Sequence, residues 1–275
     1  MEERSRSRRS LRVRRFLFAA VASGLALLGW MYAEARRDPV IRRVAARLPN
    51  WPGDARAVRV LLWSDIHVGN AATGPARLAR LVERANGLRP DLVVIAGDLV
   101  ADEAEDAGGL SVLAGLRAPL GVVAVLGNHD HWAGAAAVRR ALERAGVTVL
   151  SNAASRRGPV ALGGLDDLPT RHDDLTATLA AMRGLGGAAL LVSHSPDITP
   201  RLPGEVPLLV AGHTHCGQIV LPVYGPPVEV SAPRYRCGLV REGGRLTVVT
   251  AGTGTSVLPL RLGAPPDWWV LTLGP

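Results

Sequence analysis

The sequence predicts an α/β body built on two mixed sheets faced by helices, preceded by a single apolar N-terminal helix. Three observations point there. Apolar runs rich in Val, Leu and Ile alternate with helix-length stretches from Val58 to about Ala145, the pattern of strand–helix–strand units. Past Val147 the runs shorten and crowd together, as a second sheet with fewer helices requires. At 275 residues and 48% apolar content, the chain can bury one large core and still carry a terminal appendage.

The appendage comes first. Arg4, Arg6, Arg8, Arg9, Arg12, Arg14 and Arg15 precede an uncharged stretch from Phe16 to Ala33, close to the roughly 20 residues a spanning helix needs. A core helix at a chain end would not carry that arginine flank. Two readings stay open: an uncleaved anchor, or an export signal removed after Ala33-Glu34-Ala35, with Ser7-Arg8-Arg9-Ser10-Leu11 similar to a twin-arginine signal. The anchor is favoured because Arg36 and Arg37 make a poor start to a mature chain. Arg42, Arg43 and Arg47 leave the topology open, while the still more basic N-terminus favours a body outside the cytoplasm.

Residues 1–37 form this segment, residues 38–57 join it to the body, and the body runs over 58–275. Pro39, Pro49, Pro52 and Gly53 rule out one long helix in the joining stretch. A lead-in strand over Val40–Leu48 is favoured over an arginine-lined segment lying on anionic headgroups. In the body, strands are expected at Val58–Ser64, Leu92–Ala96, Val122–Leu126, Val160–Gly163, Leu190–Val192, Leu208–Ala211, Ile219–Leu221, Leu246–Ala251 and Trp269–Leu273. Helices are expected at Pro75–Gly87, near Gly109–Leu116, around Ala133–Ala145 and near Asp173–Arg183. The pairs Gly163-Gly164, Gly186-Gly187 and Gly243-Gly244 look like turns.

Charge narrows the partners. The net +8 lies wholly in residues 1–47, with 12 Arg against 4 acidic groups, and the rest balances at 20 against 20. A neutral body offers no basic face, so no nucleic-acid partner is expected. The chain has no Lys, which excludes a Walker phosphate loop and a Schiff base. Ser193 lacks the glycines of a nucleophile elbow.

Five apolar runs instead deliver metal-binding residues at their C-terminal ends: Asp65 and His67, Asp98, Asn128 and His129, His194, then His213 and His215. Open α/β sheets place their sites there. Carboxylate, imidazole and amide oxygen suit manganese, iron or zinc, and the absence of a cysteine set with ligand spacing removes structural zinc. A lone Asp-x-His or Gly-Asp carries little weight, whereas five in register need five coincidences.

The order Asp-x-His, Gly-Asp, Gly-Asn-His-Asp, Ser-His and Gly-His-Thr-His resembles the calcineurin-like metallophosphoesterase superfamily, from about Val58 to the C-terminus. Gly212–Pro222, Ala118–Asp130 and Gly252–Leu260 with Arg261 are similar to its membrane-associated bacterial branch, which includes YkuE-like and YaeI-like phosphodiesterases and a UDP-2,3-diacylglucosamine pyrophosphatase. Cys216 departs from the glycine usual there; it flanks the site without being a ligand, and it bears on loop shape or redox sensitivity. The resemblance implies a four-layer αββα sandwich. It also implies that Asp65, His67 and His215 hold one metal, that Asn128, His194 and His213 hold a second, and that Asp98 bridges both. Two divalent ions, Mn2+ foremost with iron or zinc as alternatives, would activate a shared water and neutralise phosphoryl oxygens. His129 is similar to the family's proton donor or transition-state stabiliser, and Asp130 is a candidate for orienting imidazoles from outside the ligand set. His131 is either a substrate contact or a surface histidine. His172 sits in a variable stretch, and Cys216 and Cys237 can pair in an oxidising compartment.

The expected activity is therefore metal-dependent hydrolysis of a phosphodiester or pyrophosphate bond at a bacterial inner membrane. One candidate substrate is lipid-linked, UDP-2,3-diacylglucosamine of the lipid A pathway. The alternatives are an exported cell-envelope phosphodiesterase and, remotely, a metal-bound scaffold without catalysis, which the complete ligand set disfavours.

Overall fold

A computed structural model describes residues 2–275, with side chains from Arg14 onward. The arginines of the twin-arginine-like start lie outside the described side chains. In chain order the first elements are helix α1 (Glu2–Arg36), strands β1 (Val40–Arg47) and β2 (Val58–Trp63), helix α2 (Pro75–Gly87), strands β3 (Leu92–Ala96) and β4 (Val122–Val125), and helix α3 (Asn128–Arg144). Then follow β5 (Thr148–Val149), β6 (Ala153–Arg157), β7 (Val160–Gly164), helix α4 (Leu175–Arg183), β8 (Ala188–Val192), β9 (Leu208–Ala211), β10 (Gly238–Glu242), β11 (Arg245–Val249) and β12 (Asp267–Gly274).

Period-two alternation sorts the strands into layers. On β2 and β3, Val58, Val60, Leu62, Leu92, Val94 and Ala96 face a core shared with Val160, Leu162, Leu190, Val192, Leu208 and Val210 of the other sheet. The intervening Leu61, Trp63, Val93 and Ile95 face the opposite way, onto Leu78, Leu81 and Val82 of α2 and Val138 and Leu142 of α3. On the far side, Leu191 and Leu209 meet Leu179 and Met182 of α4 and Ile198 and Leu202 beside a short turn of helix. The result is helix, sheet, sheet, helix. The sheets have strand orders β1-β12-β2-β3-β4-β5 and β10-β11-β9-β8-β7-β6. Within them β2, β3, β4 and β5 run parallel, as do β7, β8 and β9. That common direction brings the C-terminal ends of β2, β3, β4, β8 and β9 to one edge of the sandwich.

Helix α2 shows why local sequence suffices in places. Pro75 occupies its first turn, where the missing N–H costs nothing, and Leu78, Leu81, Val82 and Ala85 make one buried stripe. Other expectations need correction. The helix expected near Gly109 is a 3-10 segment over Ala104–Gly115, since Gly108 and Gly109 are poor α-formers. The one expected at Ala133 begins at Asn128 and bends at Gly134, whose φ is 119°. Ile219–Leu221 is not a strand: it makes isolated bridges to Leu262, Gly263 and Gly225, with Pro222 and Pro226 preventing a continued ladder. β5, β6 and β10 escaped the pattern because they are short or polar edge pieces. The lead-in strand is β1, parallel to β12. Gly243-Gly244 is the two-residue turn of the β10–β11 hairpin, with φ of 55° and 79°, whereas Gly163-Gly164 is not a turn but the end of β7, paired on both sides in its sheet.

Helix α1 divides in two. Arg14–Arg36 is long and apolar enough to cross a membrane, and Phe16, Leu17, Phe18, Val21, Leu25, Leu27, Leu28 and Trp30 lie exposed. Its last turns instead pack on the body: Met31 and Ala35 are buried, the Arg261 backbone N–H donates to the Met31 carbonyl at 3.0 Å, and Arg77 donates to the Arg36 and Arg37 carbonyls at 3.3 and 3.1 Å.

Candidate metal centre

Asp65 and His67 follow β2, Asp98 follows β3, Asn128 opens α3 after β4, His194 follows β8, and His213 and His215 follow β9. The donor atoms of Asp65, His67, Asp98 and His215 lie within 4.8 Å of one another, and so do those of Asp98, His194 and His213. Asp98 belongs to both groups. Its Oδ2 lies 3.5 Å from His67 Nε2 and 3.2 Å from His194 Nε2, while Oδ1 accepts from the His129 backbone N–H at 3.0 Å. His67 and His215 bring their Nε2 atoms to 3.2 Å, His215 Nε2 lies 3.4 Å from Asp65 Oδ1, and His213 Nδ1 sits 3.2 Å from His194 Nε2.

Two metals fit this cluster on its own chemistry. Imidazole nitrogens and carboxylate oxygens crowd together away from water, which a cation relieves. Asn128 Oδ1 is buried without any hydrogen-bond partner, the unsatisfied acceptor that an ion completes. The backbone carries a second sign. Asp65, His67, Asp98, His213 and His215 all adopt positive φ, at 50°, 49°, 51°, 69° and 48°. A non-glycine residue there costs about 1–3 kcal/mol, and such strain gathers at functional sites. Gly97 is one of several glycines here that a side chain could not replace: at φ +86°, a Cβ would stand 2.7 Å from His194 Nδ1 and 2.8 Å from the Gly127 nitrogen.

Neighbours fix how the imidazoles point. His194 Nδ1 donates to the Ala96 carbonyl at 2.8 Å, which turns Nε2 toward Asp98. His129 Nδ1 lies 2.6 Å from the Ala101 carbonyl and 3.2 Å from Asp102 Oδ1, leaving Nε2 to face Ser256 Oγ at 3.3 Å. Asp130 touches no imidazole. It accepts from the backbone N–H groups of Leu99, Val100 and Gly127 at 2.8, 3.1 and 2.9 Å, so it braces the turns that present Asp98 and Asn128. His131 lies apart from the ligand groups: its Nε2 is 2.8 Å from Asp166 Oδ1 and its ring stacks on His172 with centroids 4.1 Å apart.

Burial divides the proton affinities. It takes His67 down to about 3, His213 to about 4, and His215 well below its ordinary value. Burial also opposes charge on His194, but Asp98 outweighs it and carries the imidazole up to about 10. Asp98, pushed up by burial, is pulled well below the usual carboxylate range by His194 and then His67. Burial, aided by Asp98 and opposed by His194, raises Asp65 to about 7. Burial thus favours neutral His67, His213 and His215, the form in which imidazole ligates a cation, while Asp98 and His194 favour each other's charged forms.

Three contacts at the site were not legible in the sequence. Ser256 reaches His129 across 127 positions. Arg261 is fully buried, donates to the carbonyls of Gly254, Ala251 and Ala264, and approaches His215 Nδ1 at 3.3 Å. Cys216, next to His215, forms a disulfide with Cys237, Cα to Cα 4.8 Å. Cysteine count raised the pairing, and the fold brings Cys237 to Cys216 on the ligand loop.

Two groups of donors that could each hold a metal ion share one carboxylate at the strand ends of two stacked sheets, an arrangement compatible with a binuclear metal site. The chain belongs to the calcineurin-like phosphoesterase family, whose model matches residues 58–217. It is 31% identical over 272 residues to the uncharacterized metallophosphoesterase YkuE of Bacillus subtilis, covering 94% of each chain. To a transmembrane protein with metallophosphoesterase domain from Danio rerio it is 29% identical over 251 residues, covering 83% of this chain and 56% of that one, so it spans little more than half the fish protein. Among solved structures, a 5'-nucleotidase precursor from Thermus thermophilus superposes with a TM-score of 0.50 at 14% identity, covering 78% of this chain and 55% of that one, which shows a shared fold. The protein is a metal-dependent phosphoester hydrolase.

Proposed function

We infer that this chain is a membrane-anchored phosphodiesterase or pyrophosphatase acting on an amphiphilic substrate, with residues 1–37 as anchor, 38–57 as connection and 58–275 as the catalytic body. The observation that carries the hydrolytic assignment is Asp98, shared by both ligand groups. Asp65, His67 and His215 would hold one divalent ion and Asn128, His194 and His213 the other, with Mn2+ first among ions suited to this oxygen and nitrogen set. Bound there, the pair supplies charge to the phosphoryl oxygens and makes a water acidic. His129 then gives a proton to the leaving oxygen from Nε2, its Nδ1–H held by the Ala101 carbonyl.

Anchoring is supported by the apolar helix and by the packing of Met31 and Ala35, which a cleavage after Ala35 would sever. The disulfide supports an extracytoplasmic body, because thiols in the cytoplasm stay reduced. That orientation favours a cell-envelope phosphodiester or pyrophosphate with a lipid tail over UDP-2,3-diacylglucosamine, a nucleotide sugar made in the cytoplasm. The test measures metal-restored hydrolysis after chelation, by full-length protein in vesicles, on a soluble nitrophenyl phosphodiester and on the same group carried by an acyl chain. Metal dependence with a preference for the vesicle-borne form is expected. Equal rates on both would remove the amphiphilic substrate, and activity without metal would remove the mechanism.

A further inference from the structure

Two surface segments beside the catalytic mouth are built unlike loops that face water. Ile219–Val228 reads Ile-Val-Leu-Pro-Val-Tyr-Gly-Pro-Pro-Val, and Ala251–Leu260 reads Ala-Gly-Thr-Gly-Thr-Ser-Val-Leu-Pro-Leu; neither contains a charge. Both present their large apolar side chains outward: Leu221, Val223, Tyr224, Val228, Val257 and Leu258 are all exposed, Val223 completely. Val223 and Val257 do so at positive φ, 68° and 57°. A β-branched residue is a poor occupant of that region, where turns ordinarily take glycine, asparagine or aspartate. The chain thus accepts strain at two turns while showing valine to the surroundings.

Their position supplies the reason. Trp30 and Tyr32 mark the end of the exposed apolar part of α1, where aromatic side chains sit at the boundary between bilayer and water. Between them, the Met31 carbonyl accepts from Arg261 N–H at 3.0 Å, which fixes the segment Thr255–Arg261 at that same level. Asn70 and Gln218 extend the attachment, donating to the carbonyls of Val257, Ser256 and Leu258 at 3.5, 3.0 and 3.1 Å. Val220 N–H donates to the Leu262 carbonyl at 2.7 Å, tying the Leu221–Tyr224 turn to the same strip. At its other end the strip reaches chemistry, since Ser256 lies 3.3 Å from His129 Nε2, and the exposed Trp132 stands edge-on to the His129 ring.

We propose that these two loops, with Trp132, form a collar seated in the interfacial layer of the bilayer, so that the catalytic mouth opens at the lipid surface. The Arg261–Met31 hydrogen bond ties the uncharged strip to the end of the apolar span, and that adjacency is what favours lipid over a second protein. Pro222, Pro226, Pro227 and Pro259 stiffen the loops, so little order is lost when they seat. Apolar side chains immersed to headgroup depth add to the hold of the span and set the orientation of the body, which one helix alone leaves free to swing. The collar rests on the anchoring half of the proposed function and not on the identity of the substrate.

The test uses the full chain in vesicles of phosphatidylethanolamine and phosphatidylglycerol. Tyr224→Trp and Leu258→Trp each add one reporter at the collar, and Leu239→Trp adds one on the β10 edge. The emission each adds to that of the parent is read with lipids brominated close to the headgroup. Loss of the added emission at positions 224 and 258, and its retention at 239, is expected. Retention at all three overturns the collar. So does a blue shift at 224 that follows protein concentration and not bromination, because it marks a second copy of the chain. Unchanged turnover of a soluble phosphodiester by each variant verifies the fold. The substrate question stays separate: quenching at the collar without a preference for vesicle-borne substrate supports the collar and removes only the amphiphilic substrate.

Discussion

Replacing His129 with alanine separates proton donation from the rest of the catalytic apparatus. The ring contributes one nitrogen to structure, Nδ1 against the Ala101 carbonyl at 2.6 Å, and leaves Nε2 with only Ser256 Oγ at 3.3 Å. Its faces and edges pack on His67 and Trp132, with centroids 4.7 and 4.9 Å away. The exposed Trp132 can settle into the space, so the stability cost should stay near the ~1 kcal/mol typical of point changes. A positioned acid is worth roughly 10²–10⁴ in rate, which is about 2.7–5.4 kcal/mol of barrier. The assay compares turnover of two phosphodiesters by the metal-loaded variant, one losing an alkanol and one losing p-nitrophenol. The alkanol ester needs a proton at the leaving oxygen and should show the full loss. Nitrophenolate departs unaided, so its loss should fall below roughly tenfold. Equal losses on the two esters, with both metals still bound, would refute the acid role and leave His129 as a stabiliser of charge.

Four other outcomes are expected. Asp98→Asn keeps an oxygen for the His129 N–H but removes the charge common to both groups; metal analysis should show both ions lost along with turnover, and two retained ions would break the assignment. Asp130→Ala strands three buried backbone donors, so thermal unfolding should show a loss of at least ~2 kcal/mol, and an unchanged melting temperature would contradict its bracing role. The Asp166 hydrogen bond raises the His131 pKa from 6.5, whereas burial raises Asp166 from 3.8 but the His131 partner outweighs it and lowers it. The raised histidine contributes stability below the unfolded value of 6.5, lost as pH rises through the folded pKa; the depressed carboxylate contributes above 3.8, lost as pH falls through its folded pKa. His131→Gln should therefore lower the melting temperature most between those limits, and a loss that grows at alkaline pH would count against the pair. Removing residues 1–29 keeps Met31 and Ala35 on the body and should yield a folded, soluble, active protein, whereas a cut at residue 37 also removes those contacts and should cost stability in the same melt.

Much of the fold could be read locally because its signals are local. The stripe of α2 and the alternation of β2 and β3 depend on neighbours three, four or two positions away. Edge strands gave no such signal: β6 is Ala-Ala-Ser-Arg-Arg, with polar residues where a sheet edge discourages further pairing. The 3-10 segment at Ala104–Gly115 differs from an α-helix in a register that paired glycines decide, and no periodicity reports it.

For the site, sequence by itself determined the donor inventory, because ligand chemistry is a property of residue type and each donor follows an apolar run that ends a strand. The apolar helix and its arginine flank were likewise written in composition, since a span needs only length and absence of charge. Tertiary structure decided what distance decides. It made Asp98 the carboxylate common to two groups, assigned Asp130 to the backbone in place of an imidazole, and brought Ser256 to His129 and Cys237 to Cys216. Apart from the Gly127–Asp130 bond, these contacts join residues 21 to 127 positions apart, and which of them form depends on how two sheets stack and where their strands end. A one-dimensional pattern names the groups available; only the packed chain sets their separations, and it is separation that turns a set of donors into a centre able to hold two cations.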